Sequence, residues 1–326
     1  MATADANGTL LALAAERFLL PGERVYDHRA LAERTGTDPD DLGRLWLALG
    51  FADMTSGEKR FTDGDVAMIR TLVADGTQLS SEYTLHEARV ISSSLARIAE
   101  VFVDEMWDHQ RSAGQSDRQA LGEMAGVDVG RIERLLLSLL RMHLVAALYR
   151  RSALHDETQR AGQPSLAVGF ADLTGFTELS RGWSPDELTR VIVRFEQRAF
   201  DQIAERGGRV IKTIGDEVMF IFDTAAAAVA LALELSAFEG DDVPPLRVGV
   251  AVGPVLLRQG DCYGPTVNLA SRITGVAGSG EVVVDDAVAL AVEGDPRFTL
   301  TPLGPVTLKG IGAVALTRVR PTRKVP

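Results

Sequence analysis

A single change of hydrophobic period divides this chain. As far as about Leu154 apolar residues recur at helical spacing, whereas beyond Pro164 short β-prone runs alternate with helical ones. Between them lies HDETQRAGQP, residues 155–164, a polar segment with Gly162, Pro164 and no apolar period, which reads as a linker. The expected organisation is an all-α domain over 1–154, the linker, and an α+β domain over 165–326.

The second domain can be read element by element. Ser165–Phe170 (SLAVGF) has the character of a buried strand and is followed by a turn-rich DLTGFT. Ser184 and Glu187 form an S-x-x-E capping box, Pro185 suits the first helical position, and Leu188, Val191, Ile192 and Phe195 make an apolar stripe running toward Gly207 and Gly208. Arg209–Ile214 and Glu217–Phe222, separated only by Gly215 and Asp216, predict a tight hairpin. A helix is predicted over Thr224–Phe238, a strand over Leu246–Leu257 and a helix over Pro265–Ile273. The order is βαββαβ with additions, a ferredoxin-like arrangement.

Composition narrows the function classes. With 46% apolar and 24% charged residues the chain is globular rather than disordered, and its formal charge of −11 argues against a broad polyanion-binding surface. Phosphate, if bound, must be held locally. Cys262 is the only cysteine, so an intramolecular disulfide and a multi-cysteine zinc site are both excluded, and a reducing cytoplasm is the expected compartment. Met1–Leu20 lacks a basic segment followed by a long apolar core, and the apolar stretch Leu135–Tyr149 is interrupted by Arg141 and His143; neither a secretory signal nor a membrane span is expected.

Two aspartates fall at chain breaks beside strands: Asp172 after the first strand and Asp216 in the hairpin turn. In a βαββαβ sheet the first strand lies beside the hairpin, so the two carboxylates can converge, and such a pair suits Mg²⁺ or Mn²⁺ held partly by substrate phosphates. Turn chemistry alone also explains an aspartate at each position. The surrounding strings decide between these readings: Gly169-Phe170-Ala171-Asp172-Leu173-Thr174-Gly175-Phe176-Thr177, then Lys212-Thr213-Ile214-Gly215-Asp216-Glu217, then Asp261-Cys262-Tyr263-Gly264-Pro265-Thr266-Val267-Asn268-Leu269-Ala270-Ser271-Arg272. Together, over roughly residues 160–320, they resemble the class III nucleotide cyclases.

The resemblance implies an adenylate cyclase that makes cyclic AMP and pyrophosphate from ATP. By that likeness Asp172 and Asp216 bind two divalent cations, Mg²⁺ or Mn²⁺, with the Leu173 carbonyl as a further ligand, and the amides of Thr174, Gly175, Phe176 and Thr177 face the triphosphate. Lys212 and Asp261 match the base-reading positions. An ammonium and a carboxylate fit the acceptor N1 and donor N6 of adenine, whereas guanine presents the reverse and the guanylate-making relatives typically carry Glu at the first position. Asn268 and Arg272, four apart on one helix face, match the residues that orient the ribose and stabilise the transferring phosphate. Lys309 resembles a late phosphate-binding lysine, although the usual Lys-Gly-Lys-Gly reads Lys-Gly-Ile-Gly here. The resemblance further implies a homodimer with each active site shared between two chains.

The first half carries LAERTGTDPDDLGRLWLALGF and then RFTDGDV, which look like the helix-turn-helix and wing of MerR-type domains. Arg24–Arg70 holds 7 basic and 9 acidic residues, a poor balance for docking on phosphates, so protein interaction is expected there rather than DNA binding. Similar helical halves precede the catalytic domain in a soluble actinobacterial subgroup of cyclases, as autoinhibitory, pH-responsive modules. All five histidines, His28, His86, His109, His143 and His155, lie before residue 156, where a proton-linked switch would most simply reside. The rival reading is a nucleotide-binding regulator or sensor that acts through its MerR-like half.

Overall fold

A computed structural model describes residues 19–20, 22–51, 57–74, 78–79, 81–113, 128–161, 163–237 and 243–322. It divides into two compact units, Met1–His143 and Leu144–Pro326.

In the first unit three short helices, α1 (His28–Thr35), α2 (Pro39–Ala48) and α3 (Asp63–Val73), precede a long one, α4 (Glu82–Ala113). Each short helix is started by a side chain that accepts from the first turn: Asp27 caps α1, Asp38 caps α2 ahead of Pro39, and Thr62 forms a capping box with Asp65 on α3. Their inward faces close over one core of Leu31, Leu42, Leu45, Phe61, Val66 and Ile69, with Trp46 edge-on to Phe61. An antiparallel bridge between Tyr26 and Phe61 ties the segment before α1 to the one before α3.

The next helix, α5 (Val129–Ala161), runs through most of the segment read as a linker. Glu, Gln, Arg and Ala in that stretch are good helix formers despite the missing apolar stripe, and only Gly162 and Pro164 break the pattern. Helical spacing in the sequence predicts a helix from about Ser116 to Ala153, and that start lies outside the described residues.

The second unit is built on a seven-stranded sheet, in the order β2-β3-β1-β4-β7-β9-β8. The strands are β1 (Ser165–Leu173), β2 (Arg209–Ile214), β3 (Glu217–Phe222), β4 (Leu246–Pro254), β7 (Val282–Asp285), β8 (Phe298–Leu308) and β9 (Gly312–Pro321). All neighbours are antiparallel except β4 and β7. The ferredoxin-like α+β architecture expected from the element order is therefore present, with β1 flanked by β3 and β4 and buried along eight of its nine residues.

Two corrections concern strand ends. The first strand continues through Leu173, so Asp172 sits inside it, opposite Glu217 and Arg247, rather than after it. The expected strand Leu246–Leu257 ends at Pro254; after Val255 the chain forms a separate hairpin, β5 (Leu256–Arg258) with β6 (Asp261–Tyr263). Pro254 cannot donate to the ladder, which favours a break there.

The sheet is covered on both faces. Ala167, Ala171 and Leu173 face a core made with α7 (Pro185–Glu205), α8 (Ala225–Ser236) and α10 (Asp286–Ala291), the short α6 (Phe176–Leu179) lying between β1 and α7. Leu166, Val168 and Phe170 face the other core, where α9 (Pro265–Val276) contributes Ala270 and Ile273. Gly249 lets α9 lie close: a Cβ there would stand 2.4 Å from the Thr274 backbone nitrogen. The capping box of Ser184 and Glu187 starts α7 as expected, and Thr224 caps α8.

Candidate active site

Side chains directly opposite one another in a sheet share a face. Asp172 on β1 is opposite Glu217 on β3 and Arg247 on β4, so one row across three strands carries two carboxylates and a guanidinium. This is the α9 face, because Leu166, Val168 and Phe170 precede Asp172 in steps of two. Asp216 is the turn residue just before β3, and its carbonyl accepts from the Leu173 amide at 3.2 Å, which fixes the turn against the end of β1. The sheet thus brings Asp172, Leu173 and Asp216 together.

The electrostatics show an excess of negative charge. Burial raises the Asp216 carboxyl above its ordinary value, and the neighbouring Asp172 carboxylate adds to the rise. Glu217 is pushed up to about 7 by burial first and then by Asp172 and Asp216. Arg247 opposes both shifts and is paired with Asp172, its Nε donating to Oδ2 at 2.6 Å. Among the described residues no three His, Cys, Asp or Glu side chains form a ready metal cage. The donor set is two carboxylates and a carbonyl, all hard oxygens, and it fits a divalent cation whose remaining ligands come from a phosphate chain.

Sequence reasoning missed Glu217 and Arg247. Glu217 stood in the quoted string next to Asp216, and Arg247 is the one charged residue in the apolar run LRVGVAV; a charge at a buried strand position was the available signal.

After β1 the chain turns through Gly175 in the left-handed conformation, φ 74°, into α6. Phe176 and Thr177 open that helix, where amides have no intrahelical acceptor. The Thr174 amide is engaged, donating to the Pro245 carbonyl at 2.9 Å, whereas its buried Oγ1 has no partner.

Lys212 and Asp261 meet although 49 residues separate them. Lys212 Nζ donates to both carboxylate oxygens, at 2.9 and 2.7 Å, and lies over the Tyr263 ring at 5.8 Å. A register shift between Val210 and Lys212 places Lys212 opposite Met219, on the α9 face. Burial raises the Asp261 carboxyl, but hydrogen bonds from Lys212 and from the Cys262 amide outweigh it and leave the group below its usual range. Asn268 and Arg272 are exposed on α9, one turn apart. Lys309 is exposed in the turn between β8 and β9; among the described residues no hydrogen bond or ion pair joins it to the other site residues. Cys262 is buried and its thiol is pushed up to about 11 by burial, which makes it unreactive.

Residues 159–319 match the family described as the adenylate and guanylate cyclase catalytic domain. The chain is 35% identical to an adenylate cyclase of Streptomyces coelicolor, over 88% of this chain and 77% of that protein. It is 33% identical to an adenylate cyclase of Glutamicibacter nicotianae, over 92% of this chain and 79% of the relative. It is also 32% identical to a pH-sensitive adenylate cyclase of Mycobacterium tuberculosis, over 94% and 81% respectively.

Proposed function

The chain belongs to the class III cyclases and is an adenylate cyclase, and from that premise we propose that it converts ATP to 3′,5′-cyclic AMP and pyrophosphate at sites shared by two copies of itself. The observation that carries the choice of base is the Lys212–Asp261 pair. Bound adenine replaces this mutual contact: the ammonium donates to N1 and the carboxylate accepts from N6.

Asp172, Asp216 and the Leu173 carbonyl would hold two Mg²⁺ or Mn²⁺ ions. When bound, these supply acidification of the ribose 3′-hydroxyl and neutralisation of the triphosphate. The residues of the chain do the rest. Amides of Gly175, Phe176 and Thr177 donate to oxygens of the terminal phosphates, helped by the unpartnered Thr174 hydroxyl. Asn268 fixes the ribose so that the 3′-oxygen lies in line with the α-phosphorus and the bond to the pyrophosphate oxygen. Arg272 stabilises the charge that grows on the transferring phosphate, and Lys309 holds the leaving end. In the homodimer the metal-holding aspartates come from one chain and Lys212, Asp261, Asn268 and Arg272 from its partner.

The helical half sets the activity of this site, and its histidines make that control pH-dependent. His28 supports this as the histidine whose Nε2 is buried without a hydrogen-bond partner among the described residues. The side chains of His109 and His155 lie outside the described residues. Among those described, no helix is long and apolar enough to cross a membrane. A cytoplasmic enzyme fits the ATP substrate and the single buried thiol.

Chromatography of the products from purified protein, given ATP or GTP with Mn²⁺, tests the assignment. Cyclic AMP with pyrophosphate from ATP, and little turnover of GTP, is expected; a cyclic GMP product or no cyclic product contradicts it.

A further inference from the structure

At the other end of β1 from Asp172 lies an open cavity of about 420 Å³. Arg150 and Arg151 from α5, Arg209 at the start of β2 and Arg258 at the end of β5 all line it, with Asp261 as the one lining carboxylate among the described residues. Asp261 has both oxygens on Lys212, so it cannot balance the arginines. None of the four guanidinium groups forms an ion pair among the described residues. Arg209 Nε is buried with no hydrogen-bond partner. Burial and the charge of Arg150 both hold the Arg209 guanidinium below its usual range, and the opposing pull of Cys262 and Asp223 does not make up the difference.

Four like charges gathered around one concavity repel, and an arginine N–H with no acceptor leaves a hydrogen bond unmade. Both defects are removed by one kind of ligand. Guanidinium forks match the oxygens of phosphate in paired, parallel hydrogen bonds, and an anion of charge −2 or more is needed to offset several arginines. We propose that this cavity binds a small phosphate-bearing anion, beside the base-reading pair and at the end of β1 away from the metal-holding aspartates. Pro164, which lines it, precedes β1, whereas Asp172 is near the far end of that strand, so the cavity lies roughly 25 Å, at about 3.3 Å per residue, from the metal-holding aspartates of the same chain, while Asp261 of the base-reading pair stands on its rim. The proposal does not depend on the cyclase assignment.

Calorimetric titration of the full chain with inorganic pyrophosphate, in buffer containing EDTA so that no divalent cation recruits it to the aspartates, tests the site. Saturable binding is expected. The double variant Arg150→Gln with Arg258→Gln should weaken it at least about tenfold, and Arg209→Lys, which keeps the charge but loses the fork, should weaken it several-fold. The pair Arg272→Gln with Lys309→Gln should leave it unchanged. Circular dichroism checks that each variant is folded, and Arg209→Lys decides the matter if the double variant is not. Flotation with phosphatidylglycerol vesicles, against phosphatidylcholine vesicles, separates the two sources of phosphate. Pyrophosphate binding assigns a free anion; flotation lost in the double variant, without pyrophosphate binding, assigns a lipid headgroup. Absence of both, an undiminished double variant, or loss of binding in the Arg272 and Lys309 variant would overturn the proposal.

Discussion

Arg247 reaches across one strand gap to Asp172, its Nε 2.6 Å from Oδ2, and is the cation set opposite that carboxylate in the sheet register. In the absence of a divalent ion this guanidinium offsets the charge crowded at Asp172, Asp216 and Glu217. Arg247→Ala should therefore lower the melting temperature in EDTA by several degrees, the pair being largely buried and its loss costing roughly 3 kcal/mol. The same variant should gain more melting temperature from added Mn²⁺ than the natural chain does, because the metal then has no competitor for Asp172. Thermal scans with and without Mn²⁺ check both statements; an equal response to Mn²⁺ would show that Arg247 does not occupy the metal-binding oxygens.

Base choice rests on Lys212 Nζ and the two Asp261 oxygens it holds. Lys212→Glu places an acceptor where adenine N1 needs a donor. Steady-state rates with ATP and GTP should show the ATP to GTP preference falling by at least about 100-fold, since polar groups left unpaired discriminate strongly. A preference that does not move would remove Lys212 from base recognition.

Much of this site was legible in the sequence because its parts are local. The Gly215-Asp216 hairpin, the Ser184 capping box and the Asn268–Arg272 spacing each depend on a few neighbouring residues, and each element stands where it was expected. What was not legible depends on register. Glu217 and Arg247 become neighbours of Asp172 only through pairing across three strands. The cluster of Arg150, Arg151, Arg209 and Arg258 draws on three separated segments that no single motif joins. The helix running to Ala161 was hidden for a different reason: a polar stretch of good helix formers has no apolar period to reveal it.

Asp285 offers a pH test remote from the cyclase centre. It caps the helix Asp286–Ala291, accepting from the Val288 amide at 2.9 Å, and burial pushes its carboxyl up to about 6 against hydrogen bonds that pull it down. Because the folded state holds the proton more tightly than the unfolded one, this group's contribution to stability is fully present below about pH 4. It is lost as pH rises through about 6, a change of roughly 2–3 kcal/mol. Asp285→Asn keeps a capping oxygen without the titration. Its melting temperature relative to the natural chain should therefore climb between pH 4 and pH 7; a constant difference would mean that Asp285 is not destabilised by ionisation.

Control by the helical half predicts that replacing His28, His86 and His143 together with Gln flattens the pH dependence of cyclase activity between about pH 5.5 and 8, the range in which histidine changes charge. Activity profiles of the full chain and the triple variant compare the two. Superimposable profiles would remove the histidines from regulation.

The central claim is that one chain supplies the metal-holding carboxylates and its partner the groups that act on the phosphate, and mixing two inactive variants tests it most directly. Asp216→Ala and Arg272→Ala homodimers should each be nearly inactive. After the two are co-refolded or co-expressed in equal amounts, half of the dimers are mixed and each mixed dimer has one intact site, so activity should return to about a quarter of the natural level. Mixed dimers that form in full yet remain as inactive as either parent would contradict a shared site.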